Sequence, residues 1–269
     1  MILLKQDVSN SIEYFNDVDY VIHAASNTHP IQYATDPVGT IKTNVFGTNN
    51  LLEYSRAHNV KKFILVSSFE VYGKVKNNEQ IGENDYGIVD CLIPRSCYPE
   101  SKRLSESLTI AYSTQENIDV SIVRLSRVFG PTMSLQSSLA TAQFIKNAVD
   151  GEDIVLKSDG KQLYSYNYVG DAVTAIITVM LKGKDKEAYN VSDEAYDLRL
   201  GEFAQIVSNY NNKNVVFKLP DDIEKEGFSN SVMTILDSQK LKELGWRPLG
   251  NIKNDINDTI NVLKLKMHK

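Results

Sequence analysis

Tyr98 and Lys102 stand four residues apart at the start of a stretch with helical patterning, so both side chains fall on one helix face. A phenol ionises at about pH 10, and an ammonium within ~4–6 Å favours its charged form. The pair is therefore expected to make a general base that works near neutral pH. Thirty residues before Tyr98, Ser68 closes the apolar run that begins at Lys62, with Ser67 beside it and Glu70 two positions on. A hydroxyl next to a phenolate is a proton relay, and a carboxylate next to both is a second acid or base. Taken singly, each feature also suits something plainer: a half-buried tyrosine with a solvated lysine, a polar strand exit, a solvated carboxylate. Their order along the chain gives them weight, because ligands of open parallel sheets sit beyond the carboxyl ends of the strands, where Ser68 and the start of the Tyr98 helix would converge.

The elements that must hold these residues are legible as alternation. Residues 19–25 form a short apolar run ending in small residues, the pattern of a buried parallel strand opening into a loop. A helix starts at Asp36-Pro37, with Ile41, Val45, Thr48, Leu51, Leu52 and Tyr54 at helical spacing, and ends near Asn59. Residues 62–68 make a second strand, 73–97 a long loop carrying Gly73, Gly82, Gly87 and Pro94, 98–117 a helix and 120–125 a third strand. Strand, helix, strand, helix, strand predicts an α/β protein with a doubly wound parallel sheet. After Gly130-Pro131 the elements shorten: helices near 137–149, 171–181, 199–210, 238–244 and 252–266, and strands near 153–157, 164–169, 188–191 and 215–217. The expected division is a Rossmann-like domain over 1–130 and a smaller substrate-binding lobe over 131–269, with about 164–190 returning to the first sheet.

Composition narrows the partners. The chain has 269 residues, 42% hydrophobic and 23% charged, with 29 Lys plus Arg against 34 Asp plus Glu for a net charge of −5. Interspersed charge of this sign speaks against nucleic acid and anionic membranes. The longest apolar run, Ala172 to Leu181, is interrupted by Thr174 and Thr178 and is too short to span a bilayer. The first residues show neither a basic region nor a cleavage site, so a cytoplasmic location is expected. Cys91 and Cys97 have no His/Cys cluster around them, which predicts no metal site and no disulfide.

Ser67-Ser68-Phe69-Glu70-Val71-Tyr72-Gly73 followed by Tyr98-Pro99-Glu100-Ser101-Lys102 resembles the extended short-chain dehydrogenase/reductases, the NAD-dependent epimerase/dehydratase family that remodels nucleotide sugars. Further motifs follow in the family's order. They are His23-Ala24-Ala25-Ser26, Asn44-Val45-Phe46-Gly47-Thr48, Arg124 to Pro131, Tyr168-Val169-Gly170-Asp171, and Leu236-Asp237-Ser238-Gln239-Lys240 with Leu244-Gly245-Trp246-Arg247-Pro248. The resemblance covers essentially the whole chain. It implies an NAD-dependent enzyme that oxidises a sugar C4 hydroxyl, with Ser68, Glu70, Tyr98 and Lys102 catalytic. It implies cofactor contacts from Asp7, Val8, His23, Ala24, Ala25, Ser26, Asn44, Ser67, Tyr98 and Lys102. A homodimer is expected because relatives often are. Pro94-Arg95-Ser96-Cys97-Tyr98 with Lys102-Arg103 looks most like the UDP-glucuronate decarboxylases, in which the 4-ketone turns the C6 carboxylate into a β-keto acid that loses CO₂. Phe69 stands where the dehydratases carry an acid, which argues against dehydration.

The chain also departs from the family. No two of its 14 glycines are two or three residues apart, so the Gly-x-x-Gly-x-x-Gly turn that cradles the pyrophosphate is absent. Asp7-Val8 resembles the segment that follows the family's third strand, so about two βαβ steps are expected to be missing and Met1 to be an internal start, a truncation or a degenerate gene. The choice of NAD over NADP is then inherited from the resemblance. Tyr164 replaces the arginine that holds the substrate's diphosphate, and Arg127 replaces an asparagine. Arg127 is expected to supply that missing charge, with Arg95, Arg127 and Tyr164 as substrate-binding residues of an unusual nucleotide sugar for a surface polysaccharide. Two other readings remain: a catalytically impaired fragment or pseudoenzyme, and a reductase of a non-nucleotide carbonyl.

Overall fold

A computed structural model describes residues 2–13, 16–75, 80–218, 220 and 233–267. Its first sheet is parallel throughout, in the order β1-β2-β3-β7, with β1 at Tyr20–His23, β2 at Lys62–Ser68, β3 at Val120–Leu125 and β7 at Glu187–Val191. β2 lies inside it and is buried along its full length. Its alternate residues serve two cores, as a strand covered on both faces requires. Phe63 and Leu65 pack with Leu52, Val120 and Ile122 beneath helices α2 (Pro37–Ala57) and α3 (Cys97–Glu116), whereas Ile64 packs with Val123, Val179, Tyr189 and Trp246 beneath α5 (Val169–Lys182). Gly47 lies on the inward side of α2 because Val8 presses against it: a Cβ there would come within 2.2 Å of a Val8 methyl.

The remaining elements build a smaller layer around β6 (Leu163–Tyr168). It pairs in parallel with β4 (Arg127–Phe129) and with β10 (Met233–Thr234), and antiparallel with β8 (Asp197–Arg199). Helices α4 (Ala140–Asp150), α6 (Leu200–Asn209) and α8 (Ile252–Met267) enclose a core of Phe129, Phe144, Tyr166, Phe203, Ile256 and Ile260. β5 (Ile154–Leu156) and β9 (Val215–Phe217) form a separate parallel pair, and α7 spans Gln239–Glu243. Two late motifs acquire structural jobs. The Asp171 carboxylate, at the start of α5, accepts the backbone N–H groups of Leu249 and Gly250 at 3.0 and 3.3 Å, and the Trp246 indole donates to Thr174 Oγ1 at 3.1 Å.

The main alternation follows the sequence expectation, while several short pieces do not. Helix α1 (Pro30–Thr35), β4, β8 and β10 were outside it. The long loop is anchored by isolated bridges from Lys74 to Ile88 and from Ile81 to Leu236, and it closes in a 3-10 turn at Pro94–Ser96. Cys91 is exposed, Cys97 is buried, and both are free thiols. No helix among the described residues is long and apolar enough to cross a membrane.

Candidate active site

The site is assembled where β2 ends and α3 begins. At Ser68 the chain turns into a 3-10 segment, Phe69–Tyr72, whose first turn the Ser68 hydroxyl caps by accepting from the Glu70 N–H at 3.3 Å. That cap aims the Ser68 side chain at the first turn of α3, where Tyr98 and Lys102 are both buried, at 6% and 4% exposure. The Lys102 ammonium donates to the Val66 carbonyl at 3.0 Å, which fastens the helix to the strand exit. The Ser68 and Ser26 hydroxyls lie close enough to the Tyr98 phenolic oxygen to favour its ionised form. Behind them runs a ladder from the turn after β1 through α2 to α3. The Ser26 hydroxyl donates to Asn44 Oδ1 at 2.7 Å, Asn44 Nδ2 donates to Ser101 Oγ at 2.8 Å, and Ser101 Oγ donates to the Tyr98 carbonyl at 3.0 Å.

The electrostatics differ from the simple Tyr–Lys pairing expected of the spacing. Tyr98 is pushed up to about 12, first by burial and then by the Glu70 carboxylate; the Ser68 and Ser26 hydrogen bonds and Arg95 pull the other way. It is a neutral phenol at pH 7. The Lys102 ammonium lies 5.9 Å from the centre of the Tyr98 ring and is itself pushed down to about 8 by burial, with Glu106 opposing. His23, at the end of β1, is pushed down to about 4 by burial and by the Lys102 charge, so it is neutral.

Glu70 and Arg95 meet in a two-pronged ion pair at 2.5 and 2.8 Å. The Arg95 guanidinium also lies over the Tyr33 ring at 5.2 Å, and Tyr33 stacks on Tyr98 with ring centres 4.8 Å apart. Arg95, expected to face substrate, is thus engaged with Glu70 in this structure. Arg127 and Tyr164 are brought together by the β4–β6 register, in which Arg127 opposes Tyr166 and Tyr164 lies two residues back. The Arg127 guanidinium sits 3.4 Å from the centre of the Tyr164 ring and 4.3 Å from that of Phe69, and burial pulls its pKa down. No carboxylate among the described residues lies within ion-pairing distance of it.

Val8 packs against α2 at Gly47, on the side of that helix that His23 also approaches. Asp7 accepts from the Ser9 N–H and hydroxyl at 2.9 and 2.8 Å, and the Val8 carbonyl accepts from Asn50 on α2 at 2.9 Å. Ala24 and Ala25 form the turn between His23 and Ser26. Tyr33 was missed by sequence reasoning; Pro30 at a helix start was the one local signal of the element that carries it. No group of three or more His, Cys, Asp or Glu among the described residues is placed to hold a metal ion.

Whether these residues fit a nicotinamide cofactor is decided by their unused polar atoms. Ser67 Oγ and His23 Nδ1 are buried without a partner at the carboxyl ends of neighbouring parallel strands, beside Lys102 and Tyr98. Buried polar atoms of this kind call for hydrogen bonds, and a ribose with its amide-bearing ring supplies hydroxyls and an amide of matching size. The nicotinamide-ribose half therefore fits. The described residues supply no glycine turn for the pyrophosphate.

Comparison with known proteins shows the family and the fold. The family model described as NAD dependent epimerase/dehydratase family matches residues 3–192. UDP-glucuronic acid decarboxylase 3 of Arabidopsis thaliana is 32% identical over 247 residues, which are 91% of this chain and 69% of that protein. UDP-glucuronic acid decarboxylase 4 of the same plant is 31% identical over 247 residues, and there the chain spans only 54% of its relative's length. The crystal structure of Thermus thermophilus UDP-glucose 4-epimerase in complex with NAD superposes with a TM-score of 0.79 at 24% identity, covering 91% of this chain and 78% of that one, which is a likeness of fold.

Proposed function

The chain belongs to the NAD dependent epimerase/dehydratase family, a family of enzymes that act with NAD, and from that premise we propose that it modifies a nucleotide sugar by oxidation at C4, most like a UDP-glucuronate decarboxylase. The observation that carries this is that Tyr98 and Lys102 are buried together at the exit of β2, where Lys102 is fastened to the Val66 carbonyl and the Ser68 and Ser26 hydroxyls favour the ionised phenol. Bound NAD would supply the hydride acceptor for oxidation of the sugar hydroxyl. In its ionised form Tyr98 takes the proton of the sugar hydroxyl, Ser68 holds that hydroxyl toward it, and Lys102 and Asn44, with Ser67 and His23, orient the nicotinamide-ribose half. Asp7, Val8, Ala24 and Ala25 border the cofactor side. Glu70 is the second acid–base group with Arg95 as its ion-pair partner, while Arg127 and Tyr164 form the anion-facing wall. Phe69, where an acid would be needed to expel a hydroxyl, favours decarboxylation over dehydration. The cofactor domain is assigned to 1–130 and the substrate lobe mainly to 131–269, and the product is assigned to surface-polysaccharide synthesis. Exposed Val38, Ile41 and Phe46 on α2 and Leu104 on α3 support a homodimer.

A second reading, an impaired fragment, is favoured by the absent glycine turn and by Tyr20 and Ile22, which leave one face of β1 46% and 44% exposed. One experiment separates the two. Incubation with NAD and UDP-glucuronate, followed by nuclear magnetic resonance, is expected to show CO₂ loss and a UDP-pentose, and Tyr98→Phe is expected to reduce the rate at least a hundredfold, on the order of one general-base contribution. Absence of turnover together with absence of NAD binding at millimolar concentration selects the fragment reading.

A further inference from the structure

Beneath the phenol lies a column of four side chains contributed by four elements. Glu70 comes from the 3-10 turn after β2, Arg95 from the turn before α3, Tyr33 from α1 and Tyr98 from α3. The carboxylate and guanidinium meet through two parallel bonds at 2.5 and 2.8 Å, with side chains only 16% and 15% exposed. A fork of this kind fixes orientation as well as distance. The flat guanidinium then covers one face of the Tyr33 ring at 5.2 Å, and Tyr33, 3% exposed, stacks on Tyr98 at 4.8 Å with planes 21° apart. Such a pair adds little to stability when both charges leave water, and Arg95 Nε is buried with no partner at all. What the column adds is geometry and charge balance at one atom.

We propose that Tyr33 and Arg95 are positioning residues for Tyr98: Tyr33, stacked on it, fixes the orientation of the ring, and Arg95, paired through two bonds, cancels the Glu70 charge beside it. The idea rests on Tyr98 being the reacting group. The other groups facing Tyr98 are Lys102 and Cys97 from its own helix, Ser68 from β2 and Ser26 from the turn after β1, with neutral His23 behind Lys102. Glu70 opposes ionisation of the phenol, and Arg95 favours it. Left uncancelled, the carboxylate would hold Tyr98 protonated more firmly. Without the stack, the ring could turn away from both serines.

The test places 3,5-difluorotyrosine, whose phenol ionises near neutral pH, at position 98 of the full chain and follows it by fluorine nuclear magnetic resonance as pH is raised. Neither NAD nor sugar is needed, so the outcome is independent of whether the proposed reaction is correct. Arg95→Gln is expected to move the titration to higher pH by about one unit, the size expected of one charge a few ångströms away. Adding Glu70→Gln to that variant returns the titration to its starting position, and Glu70→Gln alone, which keeps a hydrogen-bonding side chain, moves it to lower pH. Tyr33→Leu merges the two fluorine signals through faster ring flipping, whereas Tyr33→Phe keeps them apart. Titrations that coincide in the parent, Arg95→Gln and Glu70→Gln forms overturn the charge balance, and separate fluorine signals in Tyr33→Leu overturn the clamp.

Discussion

Lys102 shows what the site costs the protein that carries it. Its ammonium is buried with one carbonyl partner, Val66, and burial lowers its pKa from the ordinary 10.5 to about 8. Below about pH 8 the lysine is charged in both the folded and the unfolded chain, so the full penalty of burying the charge is present. Between about 8 and 10.5 the folded protein has released the proton and the unfolded chain has not, and stability rises with pH. At about 1.4 kcal/mol for each pH unit the penalty is about 3 kcal/mol, and losing the Val66 hydrogen bond offsets about 1 kcal/mol of the gain on removing it. Lys102→Met is therefore expected to melt about 4 °C higher than the parent at pH 7, with the difference shrinking as pH rises above about 8 and reversing by pH 10.5, where only the lost Val66 hydrogen bond remains, and with nicotinamide binding weakened. Equal or lower melting at pH 7 contradicts this. The same residue scale separates what was legible in the sequence from what was not. Tyr98 and Lys102 are one helical turn apart, so their joint burial follows from local spacing. Tyr33 and Arg95 meet them only through packing across 65 and 3 residues of chain respectively, and an aromatic residue beside a helix-starting proline carries no mark of the ring it will stack on.

At the scale of elements, the regular strands and helices that carry the site were readable because each is long enough to show its period. β4, β8 and β10 have three, three and two residues, too few for alternation to register, and their pairing partners lie far along the chain. The meeting of Arg127 with Tyr164 depends on one of them, so the residues could be named from the sequence while their stacking could not. The helix motif around Asn44 was readable as a motif, but the reason for its glycine appears only in the packing. Asn50 Nδ2 donates to the carbonyls of Val8 and Asn10, both at 2.9 Å, and this draws Val8 onto Gly47. Alanine at position 47 gains about 1 kcal/mol of helix propensity, but its Cβ would meet Val8 at 2.2 Å. Valine is too short to swing clear without moving its backbone, so Gly47→Ala is expected to release the segment around residues 7–10, lower the melting temperature and speed proteolytic cleavage there. Adding Val8→Ala should restore protection relative to the single variant. Cleavage rates that are the same in all three proteins would show that the contact does not hold the segment.

At the scale of the whole molecule, the elements shorten after Gly130-Pro131, as the sequence shows, whereas the exposed outer surface of α2 and α3 carries no mark in the sequence. α2 and α3 lie side by side on one face of the first sheet, tied by Asn44–Ser101 and by Tyr112, whose hydroxyl donates to Asn49 at 3.1 Å. Their inner sides supply the core under β2. Their outer sides carry Val38 at 60%, Phe46 at 50%, Ile41 at 42% and Leu104 at 52% exposure. Single exposed apolar residues are ordinary; several on two adjoining helices mark a contact surface. In the homodimer proposed above, a twofold axis would set the same pair of helices against this one, the self-complementary contact that closed dimers use. Stable interfaces bury roughly 1,600 Å² in total, an area within reach of two helices of 21 and 20 residues from each copy. Light scattering on the purified chain is therefore expected to give twice 30.2 kDa. Leu104→Glu, which puts a carboxylate on the exposed apolar side of α3, is expected to give the single mass with an unchanged circular dichroism spectrum. Since Leu104 lies two residues from Lys102 on the opposite side of α3, loss of the dimer in this variant should leave the Tyr98 titration in place; a parent chain that scatters as a monomer at micromolar concentration rules the interface out.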